Sequence, residues 1–101
     1  MVYAYQQDVP IGEELYGRIV EKLGPQPLTG LLLHLCLRRP EGGLRYLDVW
    51  ESEEQCTRAF DERIHPAVDA AFGGNRPEVE PVVHRLDVVH ASGTLLAEAA
   101  R

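Results

Sequence analysis

The chain has 101 residues, 45% hydrophobic and 26% charged, with 10 basic against 16 acidic side chains and a formal charge of −6. That length supports one hydrophobic core rather than two, and the composition is too apolar for a disordered chain. The negative field repels phosphate backbones and anionic headgroups, so neither nucleic acid nor a membrane surface is an expected partner. The apolar run Leu31 to Leu37 contains His34 and falls well short of the roughly 20 residues a spanning helix needs. Met1 to Asp8 lacks the basic and apolar segments of a secretory signal, so a cytoplasmic address is expected by default. Cys36 and Cys56 are too few for a disulfide framework and read as reduced packing residues.

In chain order, Val2 to Gln7 holds a valine and, at alternating places, two tyrosines, and stops at Asp8 and Pro10, which predicts a strand. Ile11, Leu15, Ile19, Val20 and Leu23 recur at helical spacing, with Gly24 and Pro25 as the stop. Thr29 to Arg38 reads as a buried strand, Pro40 to Gly43 as a turn, and Leu44 to Glu51 as the returning hairpin strand. Ser52 followed by Gln55 is a capping-box pattern, opening a long helix striped by Cys56, Phe60, Ile64, Val68 and Phe72. Pro66 predicts a kink or break near His65, and Gly73 with Gly74 the end of the helix. A last strand is expected from Val82 to His90, and a short helical tail from Leu95 to Arg101.

The order β-α-β-β-α-β predicts an α+β, ferredoxin-like domain over residues 1–91, with 92–101 as a tail: two helices on one face of a four-stranded antiparallel sheet. Leu31, Leu33, Leu35 and Leu37 suit the helix side, leaving Leu32, Cys36, Tyr46 and Trp50 for the opposite face. Such a face is too apolar to stay wet, which predicts a two-fold homodimer with its sheets packed together.

Leu47 to Val68, with its Trp50-Glu51-Ser52 junction, and Pro81 to Leu86 resemble the dimeric α+β barrel superfamily, specifically small antibiotic-biosynthesis-monooxygenase-like proteins. The resemblance implies a homodimer binding a small aromatic or polyketide-like molecule. In the cofactor-independent monooxygenases of that superfamily an asparagine lies four residues before the junction tryptophan; here that position is Tyr46. The haem-degrading branch has a second tryptophan and a histidine ligand where this chain has Ala59 and Asp69.

Among the residues themselves, Tyr46, Asp48 and Trp50 share a strand face, and one hairpin register adds His34 and Cys36 to it. His34 oriented by Asp48 is then the candidate catalytic base, and Tyr3, Tyr5, Cys36, Tyr46, Trp50, His65 and His84 are candidate pocket-lining residues. Trp50 also suits a core anchor. No histidine pair has metal-ligand spacing, and no phosphate-binding glycine loop or nucleophile elbow occurs, so neither metal nor cofactor is expected. Three functions remain open: a homodimeric small-molecule-binding or pathway-associated protein, a cofactor-independent monooxygenase, and an interaction module.

Overall fold

A computed structural model describes residues 2–73 and 82–93. The elements are β1 (Tyr3–Val9), α1 (Glu13–Leu23), β2 (Leu31–Arg38), β3 (Leu44–Trp50), α2 (Glu53–Ala59), a π-helical turn (Phe60–Ile64), α3 (His65–Phe72) and β4 (Val82–Leu86). The strands form one antiparallel sheet in the order β2-β3-β1-β4, so the domain is the expected α+β, ferredoxin-like fold. Gly74 and the expected C-terminal helix lie outside the described residues.

Local chemistry accounts for the helix boundaries. Ser52 Oγ accepts the Gln55 backbone N–H at 3.2 Å, the N-cap bond that the capping pattern predicts. At the other end Gly73 takes the left-handed conformation, φ 62°, which glycine adopts without a Cβ clash. Pro66 does not break the helix. Its missing N–H is accommodated just after the wider π turn, where His65 N bonds Phe60 O and the backbone stays right-handed (φ −59°, ψ −45°).

The sheet's two faces differ from the sequence expectation. Register places Tyr3, Tyr5 and Val9 of β1 beside Trp50, Asp48 and Leu44 of β3, and all of these face the helices. A bulge between Leu31 and Leu33 adds one residue to β2 and reverses its parity, so Leu31 faces the helices, whereas Leu33, Leu35 and Leu37 face away. Cys36, Tyr46 and Trp50, expected on the open face, lie under the helices: Trp50 and Tyr46 share the face of β3 that packs there, and Cys36 pairs with Tyr46. The face turned away carries Leu33, Leu35, Leu37, Leu47, Val49 and Val82, with Leu35, Leu37 and Val82 exposed. β4 ends at Leu86 rather than His90, because Leu86 already pairs with Ala4 and β1 begins at Tyr3, leaving no neighbour for a longer ladder.

Two apolar clusters hold the helices to the sheet. Tyr5 and Trp50 of the sheet pack with Cys56 and Ala59 of α2, while Val9, Leu44 and Ile11 pack with Leu15, Tyr16 and Ile19 of α1. Asp48 lies between them on β3, two residues from Tyr46 and two from Trp50, and is 5% exposed.

Candidate active site

A carboxylate at such a position costs several kcal/mol unless it is paired and hydrogen-bonded. The hairpin supplies the partner: His34 on β2 lies directly across from Asp48, and its Nδ1 is hydrogen-bonded to Asp48 Oδ1. An ionised carboxylate can only accept, so Nδ1 carries the proton and, in the neutral ring, Nε2 presents its lone pair. Tyr16 of α1 meets that lone pair with its hydroxyl at 2.7 Å. The result is a Tyr16–His34–Asp48 chain that meets solvent at its middle member and the core at its last: the His34 side chain is 32% exposed on edge strand β2, and that of Asp48 only 7%.

The position of Tyr16 depends on how α1 is held. Its backbone N–H makes a first-turn helical bond, to Gly12 O at 3.1 Å, just after buried Ile11. At the C-terminus, Arg63 donates to the carbonyl of Leu23 at 3.1 Å, a group the helix leaves unpaired, and to those of Gln26 at 2.9 Å and Pro27 at 2.7 Å in the loop that follows.

Aromatic rings surround the chain. Tyr46 stands 5.4 Å from the His34 ring, edge-on, and 5.6 Å from that of Tyr16, whose own ring stacks on His34 at an interplanar angle of 14°. Burial, reinforced by neighbouring Cys36, pushes the Tyr16 phenol up to about 12. Burial likewise raises Tyr46, so both hydroxyls stay protonated at neutral pH. Cys36 lies next to Tyr16, and burial raises its thiol more than the Tyr16 hydrogen bond lowers it, which suits packing and not nucleophilic chemistry. On the far side, Trp50 Nε1–H donates to Tyr5 Oη at 3.4 Å, and Tyr5 is raised first by burial and then by the charge of Asp48.

The sequence-derived candidates thus fall into two groups. His34, Asp48, Cys36, Tyr46 and Tyr5 come together, with Trp50 enclosed behind them at 1% exposure, in the position of a core anchor. Tyr3 sits at the edge of that cluster with Arg85 5.0 Å over its ring. His65 is exposed on α3 against Phe60, and His84 points to the opposite face of the sheet, so neither joins the His34 site. Tyr16 is the participant sequence reasoning missed. Its signal was spacing, three residues before Ile19 and seven before Leu23, which puts it on the buried side of α1.

Surface depressions line the outer side of α2, among Glu53, Thr57, Arg58 and Asp61, and the α1–α3 junction at Lys22, Arg63 and Ala67; neither includes His34. Among the described residues, no three His, Cys, Asp or Glu side chains converge as a metal-binding group, and no helix is long and apolar enough to cross a membrane.

No protein-family model matches the chain, and no curated protein matches its sequence. Solved structures do match its fold. A putative antibiotic biosynthesis monooxygenase from Chloroflexus aurantiacus superposes with a TM-score of 0.62 at 18% identity, covering 92% of this chain and 98% of its own. A protein of unknown function from Nitrosomonas europaea gives 0.64 at 12% identity, covering 92% and 93%. A mutant of SnoaB, a cofactor-independent oxygenase from Streptomyces nogalater, gives 0.57 at 16% identity, covering 89% and 94%. At these identities the likeness is one of architecture: the chain has the α+β fold of the antibiotic-biosynthesis-monooxygenase-like proteins.

Proposed function

We propose that the protein is a cofactor-independent oxygenase acting on a small phenolic or polyketide-like substrate, with His34 as general base and Asp48 as its orienting partner. The observation that carries this reading is the pairing of His34 Nδ1 with a buried carboxylate, which directs Nε2 toward Tyr16 and the solvent side. As the substrate's acidic hydrogen passes to Tyr16 Oη, the Tyr16 proton passes to Nε2, and Asp48 stabilises the imidazolium. The substrate carbanion adds O2 at carbon, the peroxide anion takes the proton back from the His34 imidazolium through Tyr16, and the resulting hydroperoxide loses water. A methylene becomes a carbonyl; one oxygen atom enters the product and the other leaves as water, so the four electrons come from the substrate alone. The fold shared with a cofactor-independent oxygenase supports the same reading.

The test is oxygen uptake with anthrone-type substrates. General-base catalysis contributes about 10²- to 10⁴-fold, so His34→Ala and Asp48→Asn should both fall by a factor in that range; equal rates in all three proteins discard the dyad as catalytic. A second reading, ligand binding without turnover, draws on the Tyr16 hydroxyl already occupying Nε2. It predicts saturable binding of a hydroxylated aromatic with no oxygen consumed.

The proposal includes assembly as a homodimer. The row formed by Leu33, Leu35, Leu37, Leu47 and Val49 is an apolar surface of the kind a second copy buries.

A further inference from the structure

We propose that Tyr16 is a redox-active tyrosine, the residue from which this protein surrenders an electron to a one-electron oxidant such as an organic peroxyl radical. A phenol that loses an electron becomes a very strong acid, so its oxidation is easiest where a base already accepts its hydrogen bond. Tyr16 has that base at 2.7 Å in His34 Nε2, and the ring behind it is backed by Asp48. The step balances: the electron reduces the peroxyl radical to its peroxide anion, the Tyr16 O–H bond breaks, and an N–H bond forms at Nε2. What remains is a neutral tyrosyl radical beside an imidazolium facing a carboxylate.

The other oxidisable rings are less suited. Tyr5 is 3% exposed, out of a diffusing radical's reach, its oxygen accepts the Trp50 N–H, and the group beside it is the Asp48 carboxylate and not an imidazole. Among the described residues, no imidazole is hydrogen-bonded to the hydroxyl of Tyr3 or Tyr46. Tyr46 nevertheless lies 5.6 Å from Tyr16, close enough for a hole formed there to move onto the hydrogen-bonded ring. Tyr16 is half-buried rather than enclosed, and the side chain of its partner His34 is 32% exposed, so a diffusing radical can approach the pair.

The experiment uses the full chain and photogenerated ruthenium(III) tris-bipyridine, a cation that the acidic surface attracts, with the radical followed by electron paramagnetic resonance and transient absorption. A neutral tyrosyl signal is expected, and Tyr16→Phe should remove most of it although Tyr3, Tyr5 and Tyr46 remain. His34→Gln keeps a hydrogen-bond partner but no base, and should slow radical formation about tenfold or more, a barrier increase of about 1.4 kcal/mol. Undiminished yield in Tyr16→Phe, or an unchanged rate in His34→Gln, overturns the proposal. The wild-type protein provides a check that needs no variant: formation must be slower in D2O, and equal rates in the two solvents refute proton transfer in the oxidising step. No substrate is involved, so the outcome is separate from that of the oxygen-uptake test.

Discussion

Asp48 occupies a position on β3 where alternation calls for an apolar side chain, and the structure meets the cost with a histidine, a tyrosine and the rings around them. Their burial has a consequence in alkali. The phenols of Tyr3, Tyr5, Tyr16 and Tyr46 are all raised by burial, Tyr16 to about 12 against an ordinary value of 10.0. Above pH 10 the unfolded chain binds fewer protons than the folded one, so the contribution of Tyr16 to stability is whole below pH 10 and is lost as pH rises through about 12, with those of Tyr5 and Tyr46 lost at higher pH still. Tyrosinate absorbance should therefore appear together with loss of near-ultraviolet circular dichroism in that window. Independent ionisation of all four rings near pH 10 in a folded protein would contradict the burial described here.

Among the elements, the β2–β3 hairpin decides whether the site exists. His34 meets Asp48 only in this register, and the register is closed by the turn in which Arg39 N bonds Gly43 O at 3.2 Å and Gly42 N bonds Arg39 O at 3.1 Å. Gly43 has φ +78°, and a Cβ there would lie 2.8 Å from the Val9 carbonyl oxygen. Gly43→Ala should accordingly cost about 1–3 kcal/mol, read as a lower urea midpoint, with the His34 ring nitrogen resonances shifting as the pairing loosens. Much at this scale was legible in the sequence. Ser52 and Gln55 announced the start of α2, Pro66 the irregularity near His65 and Gly73 the end of α3, because each acts through groups within a few residues. The facing of β2 was not legible, since a bulge at a leucine among leucines has no side-chain signature. Nor was the early end of β4, which depends on where a strand nearly eighty residues earlier begins.

For the whole molecule, the one-sided arrangement of helices leaves a leucine-rich sheet face to be covered. The proposed homodimer places that face in its interface, so the wild type is expected to sediment at twice 11.3 kDa at low micromolar concentration, and Leu35→Glu combined with Leu37→Glu at the single-chain mass. Both residues are exposed and sit outside the two apolar clusters, so the variant should keep its circular dichroism. A wild-type chain that sediments as a monomer would remove the dimer from the proposal.

By itself the sequence determined the elements, their order and the class of fold, because hydrophobic period, caps and breakers operate over short stretches of chain. It also brought His34 and Asp48 forward as a pair conditional on register. Only the tertiary structure decided that register, turned Leu33, Leu35 and Leu37 outward, and brought Tyr16 across from α1 to His34. The reason is geometric: a one-residue shift in a strand reverses every side chain, and a contact between separate elements is set by how they pack and not by the residues on either side.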